Sequence, residues 1–112
     1  MEAIINYNEA VSRLGGNKHL YLKIAKKYID DYSNIPEEIA LKIHEYNYKG
    51  ASILAHTLRG ISGSLGASGL QEICRVLEQR LNDKTVDGDF ENLIDEFKLE
   101  FTRVHNEIKN FL

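Results

Sequence analysis

Apolar residues recur along this chain at spacings of three and four, the period of a helix with one buried face, and no stretch alternates with the period of two that marks a half-buried strand. A short first helix is predicted after Asn6, whose side chain and Glu9 at the third helical position form a capping-box pattern; it stops at Gly15-Gly16. Asn17 then opens a longer helix with Tyr21, Ile24, Ala25, Tyr28 and Tyr32 on its inner stripe. Pro36 marks a kink or restart, because proline suits the first turn of a helix and not its interior. Glu37 and Glu38 follow where carboxylates favour the positive helix end, and Ile39, Ile43 and Tyr46 continue the stripe to about residue 48.

Past Gly50 a helix is expected from about Ala51 to Leu65, and Ser68 with Gln71 reads as a capping box for the next one, cored by Leu70, Ile73, Cys74, Leu77 and Leu81. The segment 82–88 is a polar turn. The last helix carries Phe90, Leu93, Ile94, Phe97, Phe101, Val104, Ile108 and Phe111 on one face. Four long elements result: the Pro36-kinked 17–48 pair taken together, 51–65, 68–82 and 89–111. Long helices joined by short turns make an all-α, antiparallel four-helix bundle with a short extra N-terminal helix the economical fold. The whole chain, 1–112, is expected to be one domain.

Composition narrows the setting. Hydrophobic residues make up 43% and charged residues 28%, the profile of an ordinary globular protein. No apolar run reaches the length of a membrane span, no signal pattern opens the chain, and one cysteine cannot form an internal disulfide, so a cytoplasmic setting is expected. A net charge of −3 argues against a nucleic-acid partner, which needs a basic face. His19, His44 and His105 fall on separate helices and no Glu-x-x-His pair is present, so no metal is expected. Cys74 lies on a core face and reads as a small buried hydrophobe.

The candidate chemistry lies in Ala55-His56-Thr57-Leu58-Arg59-Gly60-Ile61-Ser62-Gly63-Ser64-Leu65-Gly66. Each interior glycine costs a helix about 1 kcal/mol relative to alanine, so glycines beside a histidine point to something that must come close. With His56 at 0° and 100° per residue, Leu54, Leu58, Ile61 and Leu65 fall between about 140° and 200° on the predicted core face, opposite the histidine. Lys49, Ser52, Arg59, Gly60 and Gly63 lie near His56, and Ile53 and Ser64 flank it. Imidazoles titrate at about 6.5, so the neutral ring, with a free lone pair, is a competent nucleophile at cellular pH. Arg59, one turn on, is placed to neutralise a phosphoryl or oxyanion group. A Gly-Lys-Ser/Thr nucleotide loop is missing, so the chain holds no ATP-binding element of that type and is not expected to be a kinase by itself.

These residues resemble the histidine-containing phosphotransfer (HPt) domains of bacterial two-component phosphorelays. The likeness rests on Ala55-His56-Thr57-Leu58-Arg59-Gly60, then Gly63, Leu65-Gly66-Ala67, Leu70 and Leu77-Glu78, and extends to Gly15-Gly16-Asn17 and the Tyr28-to-Pro36 stretch. Arg59 stands where lysine is usual, and Ser64 where asparagine is frequent. The resemblance implies that His56 accepts a phosphoryl group from a receiver-domain aspartate and passes it to another, with Arg59 assisting. Lys49, Ser52, Ile53, Gly60, Gly63 and Ser64 would then form the docking surface. It implies response-regulator receiver domains as partners, with a hybrid histidine kinase as a further candidate, magnesium on the receiver and not on this chain, and a monomer. Three other readings stay open: a module of the same fold that docks a receiver without phosphotransfer, a purely structural bundle, and a dimerising histidine-kinase domain, which would need a catalytic ATP-binding domain elsewhere in a longer protein.

Overall fold

The computed structural model describes residues 3–112, and among them the chain is all-helical, with six helices and no strand. They are α1 (Tyr7–Arg13), α2 (Lys18–Tyr32), α3 (Ile35–His44), α4 (Tyr48–Leu65), α5 (Ser68–Asn82) and α6 (Phe90–Phe111). α4 is central: it packs on α1, α2, α3 and α5, while α6 packs on α5 and α2. The expected 17–48 element is two helices, parted at Ser33–Asn34, with Pro36 in the first turn of α3. Proline lacks an N–H and clashes with the preceding turn, so it restarts a helix more cheaply than it bends one.

Helix starts follow the sequence only in part. The Asn17 side chain accepts the Leu20 N–H, and Asn47, not the residue before Ala51, caps α4 by accepting the Gly50 N–H. At Asn6 the boundary is as expected, but its amide donates to the Glu9 carboxylate and caps no backbone N–H. The Ser68–Gln71 capping box does not form. Ala67 is the cap residue and Ser68 is already helical, because the turn before it leaves no extra residue to place a serine outside the helix.

That turn is set by Gly66. Its φ of 81° puts it in the left-handed region, and the Ala67 N–H bonds back to the Ser62 carbonyl while the Gly66 N–H bonds to Gly63, the Schellman stop that glycine favours. Tyr46 and Lys84 end α3 and α5 in the same way at φ 60° and 57°, with no glycine to relieve the conformation. Contacts across α4 and α5 pair 52 with 82, 56 with 78 and 63 with 71, so these two helices run antiparallel.

The buried stripe of α4 is Ala51, Ser52, Ala55, Leu58, Ser62 and Leu65, whereas Leu54 and Ile61 are half-buried. The core face is thus rotated by about 60° from the predicted one. Ala51, Ala55 and Ser62 are buried as fully as Leu58 and Leu65, and these small side chains let neighbouring helices approach α4 closely. Ser62 is tolerated there by donating its hydroxyl to the Leu58 carbonyl. Elsewhere the expected stripes supply the core: Tyr21, Ala25 and Tyr28 from α2; Leu70, Cys74, Leu77 and Leu81 from α5; Phe90, Phe97, Phe101, Val104 and Ile108 from α6. Tyr7 stacks on Phe111 and meets Tyr21 edge-on, tying α1 to both ends of the chain's long helices. The Tyr21 hydroxyl donates to the Leu65 carbonyl at 2.7 Å, satisfying an end of α4 that would otherwise be buried unpaired.

Two outcomes follow from this packing. A Cβ on residue 66 would stand 2.6 Å from the Asn6 carbonyl oxygen in a left-handed conformation; Gly66→Ala should cost about 1–3 kcal/mol in urea unfolding. Burial pushes the Cys74 thiol up to about 12, so at pH 8 iodoacetamide should alkylate it at a rate limited by unfolding and rapidly in urea.

Candidate functional site

His56 stands mid-helix on α4 with its side chain 69% exposed. Its Nδ1 lies 3.0 Å from Oε2 of Glu78 on α5. A carboxylate only accepts hydrogen bonds, so Nδ1 carries the proton and donates it. Nε2 is thereby left with its lone pair free, on a ring held by one hydrogen bond. The other Glu78 oxygen accepts from the Arg59 guanidinium at 3.2 Å. One carboxylate, itself only 17% exposed, therefore fixes the ring and draws the cation beside it. Arg59 spends one N–H on this contact and retains others for an anion at the imidazole.

The other expected residues are distributed unevenly. Gly60 has no neighbouring atom within 4 Å of where a Cβ would stand, and Ile53 is 57% exposed; both are open surface beside the ring. Ser64 is exposed, with its hydroxyl donated back to the Gly60 carbonyl. Lys49 is exposed two helical turns from His56, about 10 Å along the axis, so it acts on an approaching partner through its field and not by contact with the imidazole.

Ser52 is a correction. It is buried, and donates to the Asn82 side chain at 2.6 Å. The helical wheel put it near His56, but that flank of α4 is the one α5 covers. Gly63 is also not bare surface: the Gln71 amide lies over it, 2.6 Å from a Cβ position, and Arg13 donates to its carbonyl. Its missing side chain makes room for α5. Gly60, Gly63, Ser64 and Gln71 join Ala10, Arg13 and Leu14 of the α1 end around a shallow concavity beside the histidine face.

Glu78 is the site residue that helix-by-helix reading passes over. The signal for it is the hairpin: counted outwards from the Gly66–Ala67 turn, positions 56 and 78 lie at nearly equal distances. His19, His44 and His105 stand on α2, α3 and α6, and among the described residues no three His, Cys, Asp or Glu side chains converge. No helix among the described residues is long and apolar enough to cross a membrane.

A family model described as the Hpt domain matches residues 23–108. The chain belongs to the Hpt domain family. The match includes His56, Arg59 and Glu78 and leaves α1 outside it. Comparisons with curated proteins and with solved structures found no match. Hpt domains serve as histidine phosphotransfer intermediates in phosphorelays, where they interact with receiver domains; they are not enzymes of the ordinary kind.

The role of Glu78 in holding the ring is open to direct measurement. In Glu78→Ala, the ring ¹⁵N shifts of His56 should move from the Nδ1–H form towards the Nε2–H form. Glu78→Gln should keep the Nδ1–H form, since an amide oxygen still accepts. Because the His56 ring is mostly solvated, unfolding stability should change by less than about 1 kcal/mol in either variant.

Proposed function

We propose that His56 is the phosphoaccepting residue of this Hpt domain, relaying a phosphoryl group between receiver-domain aspartates. The observation that carries the reading is the hydrogen bond from Nδ1 to Glu78, which leaves the Nε2 lone pair free on a largely exposed side chain. In the forward step Nε2 attacks the phosphorus of an aspartyl phosphate in line. A P–N bond forms, the P–O bond to the receiver's carboxyl group breaks, and the aspartate leaves as a carboxylate. The ring gains positive charge as the P–N bond forms. Glu78 stabilises that charge through the Nδ1 proton it already holds. Arg59 turns its remaining N–H groups to the phosphoryl oxygens. Return of the phosphoryl group to a second receiver reverses these bonds.

Docking is assigned to the open part of the face: Gly60, where a partner backbone can approach, the apolar Ile53, the exposed Ser64, and Lys49 for longer-range attraction. Gly63 contributes by letting Gln71 lie flat. The magnesium ion of the transfer is assigned to the receiver. The four-helix, antiparallel reading fits this role, with α2 and α3 as one broken element beside α4, α5 and α6, and the antiparallel α4–α5 pair supports it. We further assign the chain as one module, 1–112, working as a monomer in the cytoplasm, with a hybrid histidine kinase among the sources of its phosphoryl group.

Incubation with a ³²P-labelled receiver and magnesium should move label to this chain as an acid-labile, alkali-stable adduct. His56→Gln should abolish transfer, and Glu78→Ala should slow it about tenfold, the effect of one partly solvated charge-assisted hydrogen bond. Label that persists in His56→Gln would overturn the assignment. Receiver binding without label in the unaltered protein would leave a docking module only.

A further inference from the structure

One side of the bundle is open. α3 lies along one flank of α4 and α5 along the other, and α5 packs in turn on α6. α2 also rests on α6, but the break before Pro36 turns α3 towards α4. From there on, α3 and α6 are separated by a groove. It consists of two contiguous concavities of about 480 and 600 Å³, which share Pro36, Ala40 and Lys98. Its apolar floor is formed by Ile39, Phe90, Phe97 and Phe101, which are buried, and the partly exposed Ile43 of α3 and Ile94 of α6 form its apolar walls. From Phe90 to His105 the groove runs roughly 20 Å, at 1.5 Å per residue, which is the length of a helix of about four turns.

The charge around this groove is one-sided. Exposed Glu37 lines it from α3, and exposed Glu91 and Asp95 from α6. Among the described residues none of the three takes part in an ion pair. Glu91 and Asp95 are four apart on one helix, a like-charge spacing that weakens a helix unless a cation answers it. Lys98, His44 and His105 are the basic side chains among the lining residues, and burial disfavours the charged form of His105, so the three carboxylates prevail. At one mouth Tyr46 holds its ring 81% exposed, edge-on to Tyr48, from a left-handed backbone position where glycine is usual. None of the His56 site residues lines the groove, which lies on the α3–α6 side while His56 lies on the α4–α5 side.

We propose that the α3–α6 groove docks an amphipathic helix of a partner protein. An apolar ridge on that helix would lie between Ile43 and Ile94, and lysine or arginine side chains beside the ridge would meet Glu37, Glu91 and Asp95. An apolar trough between two helices is the setting in which a third helix buries i, i+3, i+4 and i+7 anchors. The unpaired carboxylates select its charge. Docking there leaves Nε2 of His56 uncovered, so the module is tethered while its transfer face stays free.

The probe is a fluorescein-labelled 18-residue peptide with leucines at i, i+3, i+4 and i+7 and lysines elsewhere; its counterpart carries glutamates in place of the lysines. Anisotropy should show the lysine peptide binding at least tenfold more tightly than the glutamate peptide. Amide shifts should be confined to α3, α6 and the Tyr46 turn and leave the His56 region unmoved. Glu91→Lys with Asp95→Lys, both on the surface, should weaken binding tenfold or more while keeping the helical spectrum and receiver-dependent labelling of His56. Ile94→Glu should do the same from the apolar side. Absence of binding at millimolar peptide would overturn the proposal, as would equal binding of the two peptides or shifts centred on His56. Concentration-dependent dimerisation lost in Ile94→Glu would overturn it in favour of a second copy of this chain.

Discussion

The reversal at Gly66 is the constraint on which the rest of the molecule depends. A left-handed residue there ends α4, starts α5 after a single further residue, and fixes the register between them. Register is what brings Glu78 to His56, since a shift of one residue would rotate the carboxylate by about 100° around α5. The same residue anchors α1: the Asn6 N–H donates to the Gly66 carbonyl, and the Asn6 carbonyl crowds the place a Cβ would occupy. One backbone conformation thus serves a helix stop, an interhelical register and the attachment of a helix beside the histidine face.

The three glycines that follow the histidine have three separate physical uses. Gly60 leaves open surface next to the imidazole, Gly63 admits the Gln71 side chain from α5, and Gly66 makes the turn. Only the first leaves its surface uncovered. The other two act within the fold: Gly66 carries no helix-propensity cost as a left-handed stop, and the cost of Gly63 is offset by the α4–α5 packing it permits. Ala51, Ser52, Ala55 and Ser62 contribute to the same end, lining α4 with small groups so that its neighbours close in around it. A helix this densely surrounded is a rigid mount, which suits a nucleophile that must meet an in-line geometry.

The break between α2 and α3 has a consequence on the opposite side. Parted at Ser33–Asn34, the chain keeps α2 against both α4 and α6 but sends α3 along α4, and leaves an acidic apolar trough where α3 and α6 diverge. The His56 face and the open groove therefore occupy different sides of one core, the first made where two helices close tightly and the second where two fail to meet.

Much of this protein is local in origin, and so was legible in the sequence. Helix count apart from the Ser33–Asn34 break, the stripes of α5 and α6, the asparagine cap at 17, the polar turn before α6 and the exposure of His56 all follow from periodicity, caps and breakers that act within a few residues. The Ser68 cap failed because the Gly66 turn fixed the residue at which α5 begins. Ser52 lies elsewhere than the wheel placed it because hydrophobicity centred the α4 core on Leu54, Leu58, Ile61 and Leu65, whereas close packing centres it on Ala51, Ala55, Leu58, Ser62 and Leu65. Glu78 belongs to the other helix, and nothing on α4 encodes it. The sequence by itself determined that a histidine with a nucleophilic nitrogen stands on a helix among small residues. Which nitrogen is free and which small residues remain uncovered were decided by the tertiary structure, because each depends on contacts between helices that only the folded register brings together.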